Sequence, residues 1–370
     1  MEKKIKVAHV IRVFSYGGAE ILLRECFANT YFKENITSEL YILDHKKLEL
    51  IDTVKANINS VHYYKISSSK FIIEYAKFLR SIIKGKYDIV HIHLPAAGWM
   101  TIAARLFTRK TKYIYSEHNL VTFYSKRNYY LLGLIYNFFD CVIYVSYEAE
   151  NVIKNVRRKF FFKAKKTITI LNGIDTDKFL NTERPIKNLY ENFTVGLVAR
   201  FRKQKRVDRW ADVAKEINKY NTRIKFLMVG DGPDDNMLRE KIKQLNLANK
   251  IELTGKSVNV TEAFKRIDIF LLTSEFEGLP LALLEAMSMG CVPVVSNVGG
   301  IKQLDFKNFG YKFSEFNAEA IAAIITAYAN NPEKLKVESL NARAFVEKNH
   351  SLAKQVYEFV HLYRQMKNEV

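Results

Sequence analysis

Short runs rich in Val, Ile, Leu and Tyr recur along this chain, and the stretches between them carry apolar residues at helical spacing. In the first half the runs are residues 6–12, 40–43, 88–91, 113–115, 142–146 and 167–171, and each reads as a strand. Residues 21–28, 71–83 and 129–139 read as helices between them. The second half repeats the scheme, with strands at 194–198, 225–229, 251–253, 269–272 and 292–295 and helices at 207–218, 233–245, 280–289 and 318–329. Strands that alternate with helices join by crossovers, so they pair in parallel and carry helices on both faces. The pattern predicts an α/β chain of two doubly wound, Rossmann-like parallel-sheet domains facing across a cleft, with ligands at the carboxyl ends of the strands.

A chain of 370 residues exceeds a comfortable single domain, which agrees with that division. The expected boundary lies near residue 175, giving domains of 1–175 and 176–349, followed by a polar linker at 180–192 that contains Pro185. The tail 352–366 has helical periodicity, and a helix of about 350–370 is expected to pack back on the first domain. With 15 Gly and 6 Pro there is little room for flexible tails. Cys26, Cys141 and Cys291 are far apart and odd in number, so they read as buried thiols of a reducing compartment rather than a disulfide framework. No signal peptide is visible, and no apolar run approaches the ~20 residues of a membrane span. The expected location is the cytoplasm, at most on a membrane surface.

The formal charge is +19 and unevenly placed: residues 1–180 hold 29 Lys and Arg against 16 Asp and Glu, and the rest hold 29 against 23. Excess basic charge in the first half attracts an anionic partner there.

The most informative stretch is TSEFEGLPLALLEAMSMGCVPVVS, residues 273–296. A strand ends near Ser274, Gly278 follows, and Pro280 suits the first position of a helix that continues past Glu285. The free N–H groups near Gly278 and Leu279, with the helix dipole, favour an anion or a hydroxyl. Glu277 and Glu285 stand at different depths of one pocket, and ionised carboxylates accept hydrogen bonds from diols of sugar and ribose. Read without further context, the same two acids are equally a helix cap and a surface residue.

Two acids with seven residues between them, inside EGLPLALLEAM-x-x-G-x-x-PVV, closely resemble the donor-binding signature of glycosyltransferase family 4, whose members are retaining enzymes of the GT-B fold. Other segments agree in the family's order. Gly17-Gly18-Ala19-Glu20 resembles its early glycine loop, DIVHIHLP (88–95) its Asp-x-x-His-x-His strand, and SEHN places His118 at its active-site histidine. LNGIDTDKF (171–179), VARFRKQKRVD (198–208), VGDGP (229–233) with Gly230, LTG (253–255), IDIFLLTS (267–274) and VGG (298–300) follow. The likeness runs from about residue 5 to about 310.

The resemblance implies a first domain that meets the acceptor and a second that binds a nucleotide-sugar donor, a UDP-sugar above others. Arg200 and Lys205 match the diphosphate-binding pair, and fixed cations there stabilise the charge left when a sugar–phosphate bond breaks. Arg202, Lys203 and Arg206 do not align with that pair. Glu277 is expected to position the sugar, Glu285 the ribose, and the Gly17–Gly18 loop to lie near the diphosphate. His118 is expected beside the transferred sugar. The implied mechanism retains anomeric configuration with no protein nucleophile and needs no metal. Asp175-Thr176-Asp177 has the Asp-x-Asp pattern of metal-dependent enzymes, but follows Asn172-Gly173, a turn signal. His91 and His93 share one strand face and read as core or cleft wall, with no further ligand spaced for a metal.

On the acceptor side, KNVRRKFFFKAKK (154–166) holds seven basic residues and three consecutive Phe, and YSKRNYYLLGLIYNFF (124–139) is aromatic and partly amphipathic. Both suit a peripheral contact with an anionic bilayer, at the inner face of the plasma membrane, and a saccharide acceptor that is lipid-linked, as in bacterial cell-surface polysaccharide assembly. The bland alternatives are a solvated loop and an ordinary buried helix. A nucleic-acid-binding protein leaves the paired glutamates unexplained, so no nucleic acid is expected. A nucleotide-sugar epimerase of similar fold is the alternative enzyme.

Overall fold

A computed structural model of the chain describes all residues except 1–2, 16, 46–47, 67–68, 119–132, 134, 152–165, 182–192, 257–258 and 370. The basic cluster 154–166 (save Lys166), most of the aromatic stretch 124–139 and most of the linker 180–192 therefore lie outside the described residues. The chain forms two compact units: Met1–Gly173 together with Leu352–Val370, and Ile174–Ser351.

The first unit is built on seven parallel strands: β1 (Ile5–Ile11), β2 (Ile36–Ile42), β3 (Ser60–Tyr63), β4 (Ile89–His93), β5 (Lys112–Glu117), β6 (Cys141–Tyr144) and β7 (Lys166–Thr169). Their order is β3-β2-β1-β4-β5-β6-β7. Side chains alternate across the sheet. Val7, Ile11, Leu40, Ile89 and Ile114 face one core, closed by Phe27 of α1 (Gly18–Ala28) and Phe32 of α2 (Thr30–Asn35). Ala8, Val10, Val90, Ile92 and Tyr115 face the other, closed by Phe78 and Ile82 of a helix at Phe71–Gly85 and by Ala97 and Ala104 of one at Pro95–Phe107. These last two helices become α4 and α5 after the short α3 (Asp52–Lys55). The chain's last helix, Leu352–Asn368, lies in this unit and packs Val356, Phe359, Val360 and Tyr363 against the first of the two cores.

The second unit carries six parallel strands: β8 (Thr194–Val198), β9 (Lys225–Val229), β10 (Ile251–Leu253), β11 (Ile269–Leu272), β12 (Val292–Ser296) and β13 (Tyr311–Phe313), in the order β10-β9-β8-β11-β12-β13. Strands β8, β11 and β12 are buried along their whole length, so their sequences are continuous apolar runs. Helix α6 (Val207–Tyr220) is pinned to the sheet by Trp210, fully buried, whose indole N–H donates to the Leu271 carbonyl at 3.1 Å.

In each sheet the order reverses once, between β1 and β4 and between β8 and β11. Crossovers leave in opposite directions there, which opens a crevice at the carboxyl ends of those strands. The segments after β1, β8 and β11 carry the glycines, cations and acids singled out in the sequence, β4 ends on His93, and His118 follows β5.

Candidate active site

In the second unit, the end of β8 runs into Arg200 and the turn Lys203–Lys205. This segment is held by the loop after β9. Phe201 donates its N–H to the Asp231 carbonyl at 2.7 Å, and its own carbonyl accepts from Asp234 N–H at 3.2 Å. Gly230 makes that approach feasible: its φ is 140°, and a Cβ there would stand 1.8 Å from the Ala199 carbonyl oxygen. Gly230 thus acts as a spacer beneath the Arg200 segment. Arg200 itself is exposed and has no ion pair among the described residues. Arg206 has φ 49° and turns its guanidinium onto Asp208, 2.8 Å away, which depresses the Asp208 carboxyl and occupies the arginine's charge. Lys205 is directed at the end of the neighbouring strand β11.

That end is the segment following β11. Lys205 Nζ donates to Glu277 Oε1 at 2.5 Å, and Ser274 Oγ donates to the same oxygen at 2.5 Å. Gln204 Nε2 reaches Glu277 Oε2 at 3.4 Å and the Phe276 carbonyl at 3.2 Å. Glu277 is 4% exposed, so its charge is kept by these partners rather than by water. Thr273 Oγ1 donates to the Arg206 carbonyl at 2.9 Å, and Glu275 N–H to the Gln204 carbonyl at 2.8 Å, so the two loops are stitched along their length. Gly300 N–H reaches the Glu277 carbonyl at 3.3 Å, which ties the VGG segment to the same point. Gly278 is half-buried and Leu279 buried. Pro280 sits at the cap, one residue before the helix at Leu281–Ser288, rather than inside it. Glu285 lies in that helix, half-buried and already partnered. The structure therefore joins Lys205 to Glu277, while Arg200 forms no hydrogen bond or ion pair with either. Gln204 and Ser274 were missed in the sequence because neither residue type, at its spacing, signals a partner 73 or 3 positions away.

In the first unit, Gly17 caps α1 and Gly18 is its first residue. A Cβ on Gly17 would meet the Glu20 carboxylate at 2.3 Å, whereas one on Gly18 would meet nothing within 4 Å. The Glu20 carboxylate is the end of a flexible side chain that can give way, so neither glycine is demanded by its immediate surroundings. Asp175 accepts from the N–H groups of Asp177 and Lys178 at 3.1 and 3.0 Å, the pattern of a carboxylate closing a turn.

The histidines depart from expectation. His91 and His93 do share a strand face, but a third ring joins them: His9, opposite His91 in the β1–β4 register. One nitrogen from each of the three lies within 4.8 Å of the others, and all three rings are buried. The spacing argument against a further ligand therefore fails, because register across the sheet brings in a residue 84 positions away. Except for His9 Nε2, the nitrogens are engaged with other rings and with hydroxyls. His9 Nδ1 is 3.3 Å from His93 Nε2, and His93 Nδ1 is 3.4 Å from His118 Nε2. His91 uses Nδ1 on the Tyr363 hydroxyl at 2.6 Å and Nε2 on Ser116 Oγ at 2.7 Å. Burial pushes His9 down to about 3 and His118 to about 4, and holds His91 and His93 well below the usual range, so all four rings are neutral near pH 7.

Comparison with known proteins accords with this geometry. Residues 33–178 match the family described as Glycosyltransferase Family 4, and residues 181–345 match Glycosyl transferases group 1. Among named relatives, the UDP-Gal:alpha-D-GlcNAc-diphosphoundecaprenol alpha-1,3-galactosyltransferase of Escherichia coli is 28% identical over 98% of this chain and 97% of its own length. The capsular polysaccharide biosynthesis glycosyltransferase CapH of Staphylococcus aureus is 29% identical over 86% of this chain and 87% of its own. Among solved structures, Anabaena Alr3699/HepE in complex with UDP and glucose superposes with a TM-score of 0.83 at 18% identity, over 98% of this chain and all of that one.

Proposed function

The chain belongs to glycosyltransferase family 4, with the two parallel sheets of the GT-B fold, and from that premise we propose that it transfers a hexosyl unit from a UDP-sugar to a lipid-linked saccharide with retention of configuration. The observation that carries the reading is the Lys205–Glu277 pair, which joins the ends of β8 and β11 at the reversal point of the second sheet. A cation there neutralises the diphosphate as it leaves, and a buried carboxylate with a free lone pair accepts from a sugar hydroxyl. Arg200, exposed in the same loop after β8 as Lys205, supplies a bidentate grip on phosphate. Two fixed cations make a divalent metal unnecessary. With no protein nucleophile, departure of the diphosphate is coupled to attack by the acceptor hydroxyl on the same face. Glu285 holds the ribose.

The UDP assignment draws support from the names of the Escherichia coli relative and of the Anabaena complex. The lipid-linked acceptor is supported by that same relative's diphosphoundecaprenol substrate. No helix among the described residues is long and apolar enough to cross a membrane, so the chain would reach such an acceptor at the bilayer surface through its basic first half.

The test is thermal-shift binding of UDP, GDP and ADP and their sugars, with and without EDTA. Stabilisation by the UDP series that survives EDTA is the expected outcome. A response to no nucleotide, or one that EDTA abolishes and metal restores, overturns the reading.

A further inference from the structure

Three neutral imidazoles stand in line in the first unit: His9 on β1, His93 at the end of β4, and His118 just past β5, linked by ring-nitrogen contacts of 3.3 and 3.4 Å. A neutral imidazole carries one N–H and one lone pair, so each link needs an N–H from one ring and a lone pair from the other. Once one ring's proton is placed, the other two follow. Only two arrangements satisfy both links. In the outward one, His9 donates from Nδ1 to His93, His93 donates from Nδ1 to His118 Nε2, and His118 keeps its proton on Nδ1. In the inward one every proton moves to the other nitrogen, and His9 carries its N–H on Nε2.

The end of the line decides between them. His9 Nε2 is buried and has no hydrogen-bond partner. Its ring packs edge-on against Phe27, with centroids 5.0 Å apart, and near Phe32 at 6.2 Å. An N–H there would be an orphaned buried donor with at most a weak aromatic contact, which is rarer and costlier than a bare lone pair in the same place. His91 stays outside the line, since both of its nitrogens are spent on Tyr363 and Ser116. Its ring packs against that of His93, with centroids 4.1 Å apart and planes tilted by 39°.

We propose that His93, backed by His9, is a positioning residue that fixes His118 in the Nδ1–H form, so that His118 meets the substrate as a hydrogen-bond donor and not as a base. The inference rests on the reading above that places His118 beside the transferred sugar. A donor at that point suits a sugar or phosphate oxygen, and the reaction proposed needs no general base there.

The experiment uses the full chain with 15N-labelled histidine, and two-bond 1H–15N correlation spectra at pH 7.5 to read the proton's position on each ring. The His118 signals are those lost in His118→Asn. The proton is expected on Nδ1 of His118, with that preference lost in His93→Leu. His93→Gln, whose amide N–H can still donate to His118, is expected to restore it. Turnover should follow: about tenfold lower in His93→Leu with a smaller change in KM, and largely recovered in His93→Gln. A proton on Nε2 of His118 in the unsubstituted chain overturns the relay. Undiminished transfer by His118→Asn instead overturns the placing of His118 at the sugar, whichever nitrogen carries the proton.

Discussion

Acidification should destabilise the first unit well before it protonates ordinary carboxylates, and the reason is the row of histidines held neutral in the fold. A ring kept neutral in the folded state and released on unfolding takes up a proton, because its folded pKa lies below the value of about 6.5 in the open chain. The stability such a ring contributes is full above pH ~6.5 and falls as the pH drops toward the folded value, about 4 for His118 and about 3 for His9. At pH 5 His9 and His118 have each lost about 2 kcal/mol, and the lowered His91 and His93 act in the same direction, a loss that is a large share of the stability of an ordinary domain. At pH 6, where carboxylates are nearly silent, unfolding should take up about 1.5 protons from His9 and His118, and His91 and His93 add to that uptake. Unfolding enthalpies measured at pH 6 in buffers of different ionisation heat give that number directly. An uptake of one proton or fewer would refute the argument, since it would mean that the rings are already charged in the folded state or titrate alike in both.

Substitutions at the candidate site should separate two roles. Lys205→Ala is expected to lower turnover about a hundredfold while weakening nucleotide affinity less. It should also cost about 1.5–3 kcal/mol of stability, because Glu277 keeps only Ser274 and Gln204. Glu285→Ala should weaken donor binding with turnover at saturation little changed, and initial rates with nucleotide titrations would expose the reverse pattern. Gly230→Ala should lose at least ~2 kcal/mol, from a positive φ and a clash with backbone that cannot swing away. A wild-type denaturation midpoint would contradict that.

The parallel sheets were legible because their central strands are buried on both faces. Residues 194–198, 225–229 and 269–272 coincide with β8, β9 and β11, and 251–253 coincide with β10, an edge strand marked by its Ile and Leu. The strands missed are edge strands. Ser60–Tyr63 is polar and half-exposed, and Tyr311–Phe313 is three residues long, so neither makes an apolar run. The helix at Pro95–Phe107 escaped because it opens on Pro-Ala-Ala-Gly directly after a strand, and the one at Pro332–Asn349 because charge dilutes its few core residues, Leu335, Ala342 and Val346. At the site, Lys205 and Glu277 are 72 positions apart, and nothing in local spacing joins them. Family likeness marked both, and the adjacency of β8 and β11 brings them together. His9 carries no local signal at all; its place depends on strand register, which a single sequence does not display.

The last helix of the chain, Leu352–Asn368, belongs to the first unit. During synthesis the segment Met1–Gly173 emerges with one face of its sheet lacking Phe359, Val360 and Tyr363, and with His91 lacking the hydroxyl that binds its Nδ1. Ile174–Ser351, in contrast, is contiguous and can close as soon as it has left the ribosome. The order of completion is thus the reverse of the order of translation: the half made first is finished last, and its uncovered apolar face must be kept from other chains in the interval.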